Sequence, residues 1–332
     1  MAKLVKNFWT QHWPPRATFT DANVPAGSQA GRVFMVTGGN GGVGLELCKL
    51  LYKTGGTVYL TTRSQEKGEK AIEAIVASTS PNAPGLGLLK VLVLDLNDLQ
   101  SVKDAVQKFT SQESRLDILW NNAGLGGNAV VYGSKTAQGI ETFMGVHCVA
   151  HQYLTELLIP QLKAATKPRV VWMGSALIDS MAPSNGIDFS LLDTGLKNTT
   201  ATYAMSRAGS WMLGREFATR HKADGIISVV ANPGNLDTGM FNGTPAAFIF
   251  ILRHTMLHKP ILGGYTNLYA GFSNDVTLDN SGIYVFPWGR LRPDDELVRQ
   301  DIVKAIRSEE EGGLGHAGKF WSWCEEHWKS LA

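Results

Sequence analysis

A glycine-rich turn carries the clearest chemical signal in this sequence of 332 residues. Residues 37–44 read Thr-Gly-Gly-Asn-Gly-Gly-Val-Gly, between an apolar run at 33–36 and a leucine-rich run at 45–51. A strand that turns through glycines into a helix lets backbone N–H groups and the positive end of the helix dipole face a phosphate. Taken alone, the spacing also fits an ordinary tight turn, because it is T-G-x-x-x-G-x-G rather than G-x-G-x-x-G. The loop predicts nucleotide binding, with these candidate contacts: Gly38, Asn40, Gly42, Val43 and Gly44.

Composition is typical of a globular protein and excludes several other classes. Hydrophobic residues make up 44% and charged residues 18%, which allows one large or two ordinary domains. The net charge of +2 gives no electrostatic reason to expect nucleic acid or an anionic membrane as a partner. Cys48, Cys148 and Cys324 are too few and too scattered for a disulfide framework or a zinc site. We therefore expect a reducing compartment and a cytoplasmic protein.

No segment predicts secretion or insertion into a bilayer. Residues 1–15 mix lysines with tryptophans and lack the apolar core of a signal peptide. The longest apolar run, residues 246–252, is too short to span a membrane. That run is consistent with resting on a membrane surface or with lining a pocket, and no integral membrane segment is expected.

Alternating strand and helix patterns must position the glycine loop. Short apolar runs predict strands at 33–36, 58–61, 88–94, 118–120, 169–173, 225–231 and 282–286. Apolar residues at three- and four-residue steps predict helices at 45–51, 66–78, 99–110, 139–165 and 202–221. This order predicts the α/β class: a Rossmann-type, doubly wound parallel sheet in a single domain, with helices on both faces.

Segments of different character flank and interrupt this pattern. Prolines and glycines break any periodicity in the arm at 1–30, and the Rossmann-type domain follows at 31–290. Within that domain, residues 235–275 are irregular and rich in glycine and aromatic residues. Because ligands bind beyond the carboxyl ends of parallel strands, we expect 235–275 to cover the substrate. Residues 291–332 are expected to form a polar, helical tail.

Several motifs follow one another in order along these elements. After the glycine loop come Asp95-Leu96, Asn121-Asn122-Ala123-Gly124, Ser175 at the end of the fifth strand, Tyr203 in a helix, and Asn232-Pro233-Gly234 with Thr238 after the sixth strand. This ordered set resembles the short-chain dehydrogenase/reductase family over residues 30–290. The arm, the tail and residues 284–289 are similar to a filamentous-fungal branch of that family.

The resemblance implies hydride transfer between a nicotinamide cofactor and a carbonyl or alcohol. Tyr203 would give a proton to the developing alkoxide, and Ser175 would hydrogen-bond the same oxygen. Four residues after Tyr203, on the same helical face, the family has a lysine that binds the nicotinamide ribose, whereas this chain has Arg207. The family's helix asparagine corresponds to His147. The implied catalytic residues are therefore Ser175, Tyr203, Arg207 and His147.

The two departures from the family pattern leave three interpretations open. Arg207 keeps the positive charge, but it is a wide planar fork that scarcely deprotonates, so it impairs proton relay. His147 can hydrogen-bond or shuttle a proton, or it can simply pack beneath the site. The site is then a working variant, a site reused for non-redox acid–base chemistry, or a site that binds cofactor without turnover.

For the cofactor we expect NADP(H). Residues 61–64 read Thr-Thr-Arg-Ser, without the acid that NAD-specific sites use to bind the ribose hydroxyls. Arg63 can pair with a 2′-phosphate, or it can be a solvated residue at the start of a helix. The resemblance assigns the other contacts as Asp95 and Leu96 at the adenine, Asn122, Ala123 and Gly124 beside the riboses, Tyr203 and Arg207 at the nicotinamide, and Pro233, Gly234 and Thr238 near the carboxamide or pyrophosphate.

Other residues allow more than one interpretation. His147 and His151 have the spacing of metal ligands on a helix, but no further ligand cluster supports them, and no metal is expected. Asp179 and Asp188 either line the substrate mouth or belong to a solvated loop. An apolar substrate wall or plain core packing would account for Met240, Phe248, Phe250 and Trp288.

The sequence favours an NADPH-dependent reductase, or the reverse dehydrogenase, acting on a mid-sized apolar metabolite, as in secondary metabolism. A non-redox isomerase or cyclase that keeps NADP(H), and a cofactor-sensing binding protein, are the alternatives. The expected partners are a small-molecule substrate and no nucleic acid. The resemblance also implies a homodimer or homotetramer, because the family associates through its long helices.

Overall fold

One sheet of eight strands organises the part of the chain that the computed structural model describes, residues 2–239 and 246–331. The strands are β1 Val33–Val36, β2 Thr57–Thr62, β3 Leu88–Val93, β4 Ile118–Asn121, β5 Arg169–Met173, β6 Ile227–Ala231, β7 Tyr284–Phe286 and β8 Arg290–Arg292. Their order in the sheet is β3-β2-β1-β4-β5-β6-β7-β8. Strands β1 to β7 pair in parallel, and β8 pairs antiparallel with β7. The doubly wound Rossmann-type sheet predicted from the sequence is confirmed.

Helices connect the strands and cover the sheet. They are α1 Ala2–His12, α2 Gly42–Tyr52, α3 Gln65–Ala77, α4 Leu99–Thr110, α5 Thr142–Met144, α6 Ala150–Leu157, α7 Ile159–Lys163, α8 Leu177–Met181, α9 Thr199–Arg220, α10 Ala246–Thr255, α11 Pro260–Phe272, α12 Gln300–Ile306 and α13 His316–Glu326. A π-helical turn, Gly145–Val149, joins α5 to α6. Within residues 2–239 and 246–331, no helix combines the length and the apolar character needed to cross a bilayer.

Alternating side chains divide the core between the two faces of the sheet. Phe34 and Val36 pack in a cluster with α2, α3 and α11, whereas Val33 and Met35 pack in a cluster with α4, α6, α9 and α13. Successive residues of a strand point to opposite faces, so each strand buries apolar side chains on both. The near-continuous apolar runs in the sequence follow from this double burial.

The single helix predicted at 139–165 is wrong. The chain enters the helix only at Thr142, because Gly139 adopts a positive φ of 78°. At Leu158 the backbone leaves helical geometry, with φ −96° and ψ 1°. Pro160 lacks an N–H and its ring clashes with the carbonyl four residues earlier, so the helix ends before it and α7 restarts around it.

The flanking segments are more ordered than their sequences indicate. The arm contains α1 although its prolines suggest no periodicity, and the segment expected to be irregular contains α10 and α11. Strand β8 lies just beyond the last predicted strand. The tail is not simply polar, because Phe320, Trp321 and Cys324 of α13 are buried against α9. Periodicity within each segment does not reveal these contacts, since the partner surfaces lie far away in the sequence.

Candidate active site

Four neighbouring strands bring the sequence motifs to one edge of the sheet. The glycine loop follows β1, residues 122–124 follow β4, Ser175 follows β5, and the Pro233-Gly234 turn follows β6. These strands are adjacent in the order β1-β4-β5-β6 and run parallel. Their carboxyl ends therefore lie together, where open α/β sheets bind their ligands.

The glycine loop is built for close approach of the backbone. Gly38 has a φ of 66°, and a Cβ added there would lie 3.1 Å from Ala123 Cα. A Cβ at Gly44 would overlap the carbonyl oxygen of Gly38, so the loop and the first turn of α2 can pack this closely only with glycine. The N-cap of α2 is Gly41, which provides no side-chain cap and has nothing within 4 Å of the position a Cβ would take. No side chain therefore caps the first N–H groups of α2, which leaves them available to a phosphate.

Thr37 ties the turn after β4 to the end of β1. Its hydroxyl accepts the backbone N–H of Ala123 at 2.8 Å, and its carbonyl accepts Asn122 Nδ2 at 2.8 Å. Asn121 turns the other way and donates to Thr155 Oγ1 of α6 at 3.0 Å. Asn122 and Ala123 are therefore held in a fixed position beside the glycine loop.

Tyr203 and Arg207 lie on one face of α9 and are both 4% exposed. The Arg207 Cζ atom is 5.3 Å from the centre of the Tyr203 ring. A Cβ added at Gly124 would overlap Arg207 Nη2, so the guanidinium lies directly against the turn after β4. Arg207 Nε and Nη1 are buried without a hydrogen-bond partner among the described residues. A buried cation with two unsatisfied donors is costly, so a polar group that accepted from them would stabilise this arrangement.

His147 is fully buried beneath these residues and is bonded on both ring nitrogens. Its Nε2 accepts the backbone N–H of Leu125 at 2.8 Å, so the ring proton resides on Nδ1 and is donated to Ser206 Oγ at 2.8 Å. Ser206 in turn donates to the carbonyl of Tyr203. Burial first, and then the nearby Arg207 charge, hold the pKa of His147 well below its usual value. The imidazole is therefore neutral, and it connects α9 to the turn after β4.

Ser175 has a supporting residue that the sequence did not single out. The Tyr284 hydroxyl, at the start of β7, lies beside the backbone of Gly174 and Ser175. Burial raises the pKa of Tyr284 far above its usual value, so this phenol stays protonated. Ser175 Oγ accepts the N–H of Leu177 at 3.2 Å. In the sequence, Tyr284 belonged to a predicted strand and to the segment 284–289 that resembles a fungal branch, and neither pattern places it beside Ser175.

The N-terminal arm also reaches the site. Gln11 of α1 is 3% exposed; its Nε2 donates to Asp179 at 2.5 Å, and its Oε1 accepts Asn232 Nδ2 at 2.8 Å. Burial raises the pKa of Asp179 to about 6. The Asn232 Oδ1 atom accepts the N–H of Gly234, whose φ is 92°. Asp179 therefore lies in the short helix α8 after Ser175 and not in a solvated loop.

The remaining predicted contacts differ in exposure. Arg63 is exposed and has no ion-pair partner among the described residues. Ser64 caps α3 by accepting the N–H of Lys67. Asp95 Oδ1 accepts the N–H of Asn97, whereas the Leu96 side chain is 6% exposed and belongs to the core, which leaves only its backbone to face a ligand.

The segment expected to cover the substrate is described only in part. Thr238 lies 3.5 Å from the position of a Cβ on Gly42, above the glycine loop. Trp288 is 2% exposed and packs beside Gly234, whereas Phe250 is 62% exposed. Met240 lies outside the described residues, as does the side chain of Phe248. Among the residues described, no group of three or more His, Cys, Asp or Glu side chains could hold a metal ion.

Comparison with known proteins agrees with this geometry. The family model described as short chain dehydrogenase matches residues 32–186. A short-chain dehydrogenase/reductase of Pestalotiopsis fici, named iacJ, is 44% identical over 97% of this chain and 97% of its own. A short-chain dehydrogenase/reductase of Phomopsis amygdali is 38% identical over 98% of this chain and 97% of its own.

Solved structures share the fold. An uncharacterized protein from Mycobacterium paratuberculosis is 27% identical, with a TM-score of 0.65 over 94% of this chain and 97% of its own. The Pseudomonas aeruginosa RhlG/NADP active-site complex is 20% identical, with a TM-score of 0.59 over 79% of this chain and 96% of its own. This chain therefore belongs to the short-chain dehydrogenase/reductase family, whose members are oxidoreductases that use a nicotinamide cofactor.

Proposed function

We propose that this chain is an NADPH-dependent reductase, or the reverse dehydrogenase, for a carbonyl or alcohol of a mid-sized apolar metabolite. The observation that carries the proposal is the buried Arg207 guanidinium beside Tyr203, with two nitrogens that lack partners. The same guanidinium lies against Gly124, beyond the carboxyl end of β4, through its Nη2 atom. A ribose diol bound there would satisfy the two unpartnered nitrogens.

The residues present fit a dinucleotide. The uncapped start of α2 offers N–H groups for the pyrophosphate, and Asn122 and Gly124 border the space between it and Arg207. Arg63 supports NADP(H) over NAD(H), because it is an exposed cation at the end of β2 and residues 61–64 contain no acid to repel a 2′-phosphate. When bound, the nicotinamide supplies the hydride.

In this proposal the side chains position the substrate oxygen and move one proton. Tyr203 donates its hydroxyl proton to that oxygen as negative charge develops there, and Ser175 donates a second hydrogen bond to it. The Arg207 cation near the Tyr203 ring stabilises the charge that Tyr203 then carries. Neutral His147 holds the Leu125 backbone and, through Ser206, the Tyr203 carbonyl.

One feature favours a second candidate, a non-redox isomerase or cyclase that retains NADP(H). Arg207 scarcely deprotonates, so it cannot pass a proton back to Tyr203 as a lysine could. A reaction in which the substrate itself returns the proton to Tyr203 would not need that relay. Such an enzyme would turn over without net change in the cofactor.

Deuterium transfer distinguishes these candidates. NADPH deuterated at the transferable nicotinamide position is incubated with the protein and a metabolite extract of the producing organism, with Tyr203→Phe in parallel. We expect mass spectrometry to find a product that gains one deuterium with the wild type alone. A Tyr203-dependent product without label would instead support the non-redox enzyme. Binding of NADPH with no product in any extract fraction would contradict both and favour a cofactor-binding protein.

A further inference from the structure

Helix α1 has its polar side inward and its apolar side outward. Asn7 and Gln11, one turn apart, are 4% and 3% exposed. Val5, Phe8 and Trp9 lie on the opposite side and are 58%, 50% and 60% exposed. A surface helix normally buries its apolar stripe against the core, so this orientation is the reverse of the usual one.

Hydrogen bonds fix that orientation. Gln11 bridges Asp179 and Asn232, and Asn7 Nδ2 donates to the carbonyl of Glu296 at 2.8 Å. Turning Phe8 and Trp9 inward would break all three bonds. The partners of Asn7 and Gln11 would then face apolar side chains that cannot hydrogen-bond to them. The apolar side of α1 is thus held toward the exterior.

Helix α10, which contacts the end of α1, also exposes apolar side chains. Its Phe250 and Ile251 are 62% and 55% exposed. The two helices meet at their carboxyl ends, where Trp13 Nε1 donates to the carbonyl of Thr255 at 2.8 Å and His258 Nε2 donates to that of His12 at 2.8 Å. We call the exposed set the apolar face; it consists of Val5, Phe8, Trp9, Phe250 and Ile251. An exposed apolar patch of this composition marks an interaction site.

The unpaired charges in the segments that carry the apolar face are positive. Residues 1–20 and 238–274 contain no Asp or Glu. Lys6, Arg16 and Lys259 are exposed, and among the described residues none of them forms an ion pair. The nearby carboxylates have partners, since Asp237 pairs with Arg253 and Glu296 with Arg292, each at 2.9 Å. The net charge of the whole chain is only +2, so the positive character is local.

We propose that the apolar face seats the protein on an anionic lipid surface. Tryptophan and phenylalanine beside lysines are the side chains that partition to the boundary between acyl chains and headgroups. The lysines and Arg16 would add electrostatic attraction to acidic headgroups. A second copy is a poorer occupant, because a two-fold interface would bring the same unpaired cations toward one another. Because α1 also contacts Asp179 and Asn232, docking would hold the mouth of the site at the membrane.

Vesicle sedimentation tests the proposal on the full chain. The protein is mixed with sucrose-loaded vesicles of phosphatidylcholine alone, or with phosphatidylserine as one lipid in three. We expect binding to the mixed vesicles to exceed binding to phosphatidylcholine by roughly tenfold, and to fall at about 0.5 M salt. Phe8→Ser combined with Trp9→Ser should lower the partition coefficient about tenfold or more. Lys6→Glu combined with Lys259→Glu should lower it comparably on mixed vesicles only.

A matched control uses apolar side chains exposed elsewhere. Val76 and Leu88 are 47% and 61% exposed at the far edge of the sheet, and Val76→Ser with Leu88→Ser should bind vesicles as the wild type does. The proposal would be overturned if the wild-type protein stayed in the supernatant with both kinds of vesicle. It would also be overturned if the Phe8→Ser, Trp9→Ser variant bound vesicles as tightly as the wild type. A dimer in sedimentation velocity that these two substitutions dissociate, without vesicle binding, would assign the face to a second copy instead.

Discussion

At the residue scale, the proposed chemistry depends most on the buried cation Arg207. A buried guanidinium with two unpartnered nitrogens is costly, and the proposed function assigns those donors to a bound ribose. The adjacent His147 adds no positive charge, because burial and Arg207 lower its pKa and keep it neutral. One permanent cation therefore lies next to Tyr203.

Two substitutions of Arg207 distinguish the effect of its charge on activity from the effect of its size. We expect Arg207→Met to lower kcat/KM by roughly a hundredfold to a thousandfold, because the developing charge on Tyr203 loses its cation. Arg207→Lys should retain or raise activity, since lysine keeps the charge. The thermal stability of Arg207→Met without cofactor should not fall, since an unpaired buried charge has been removed. Unchanged turnover in Arg207→Met would remove Arg207 from the mechanism.

Arg63 determines cofactor choice in the proposed function. Arg63→Ala should weaken NADPH binding roughly tenfold to a hundredfold, the usual range for a charge-assisted hydrogen bond to phosphate. Binding of NADH should change by no more than about twofold, because it has no 2′-phosphate. Fluorescence titration measures both, with Lys67→Ala of α3 as a control that should affect neither. An equal loss for the two cofactors would refute the assignment of Arg63 to the 2′-phosphate.

At the element scale, α1 and α8 show how distant segments complete one site. Gln11 forms hydrogen bonds to Asp179, which follows β5 in the chain, and to Asn232, which follows β6. Neither helix has a strong reason to form alone, because α8 has five residues and short isolated helices are unstable in water. Tertiary contacts therefore stabilise both, and Asp179 carries a cost for its burial that depends on pH.

That cost gives a testable pH dependence. Folding raises the pKa of Asp179 from 3.8 to about 6, so the folded state binds the proton more tightly than the unfolded state. The carboxylate therefore destabilises the fold as pH rises from about 4 to above 6, by an amount near 3 kcal/mol at most. Asp179→Asn removes the titration and can still accept from Gln11. Its free energy of unfolding, measured with urea, should rise relative to wild type between pH 4 and pH 7. A difference that is constant over this range would contradict the shifted pKa.

At the scale of the whole molecule, the tail is part of the main core. Phe320, Trp321 and Cys324 belong to the same buried cluster as Val33 and Met35 of β1. Gln152 of α6 donates to the carbonyl of Trp321 at 3.1 Å and accepts Trp328 Nε1 at 2.9 Å. Helix α13 thus covers surfaces of α6 and α9, and copies of this chain cannot associate through the covered parts of these helices.

The core position of the tail predicts a large loss of stability on truncation of one side chain. Phe320 is fully buried and packs on Gly209, so Phe320→Ala should lower the free energy of unfolding by about 3–5 kcal/mol. Leu314→Ala, on the same segment but 37% exposed, should cost about 0.5 kcal/mol or less. Urea unfolding followed by circular dichroism measures both. Similar small losses in the two variants would show that the tail folds apart from the core.

The sequence by itself determined the sheet, its order of elements and the family. Parallel strands that are buried on both faces appear in the sequence as continuous apolar runs. The glycine loop requires glycine where two backbone segments touch, as at Gly38 and Gly44. These are local requirements, so they leave local patterns. The catalytic roles of Ser175, Tyr203, Arg207 and His147 rest on the resemblance and stay predictions.

Only the tertiary structure decided which distant residues meet. The contact of Gln11 with Asp179 and Asn232, the Tyr284 phenol under Ser175, the outward turn of Phe8 and Trp9, and the burial of α13 all join segments far apart in the chain. The π-helical turn at 145–149 also leaves no pattern in the sequence, whereas the end of α6 follows from the ring of Pro160. Periodicity records which side of an element is apolar, but it does not record what lies opposite, and for α1 the apolar side faces outward.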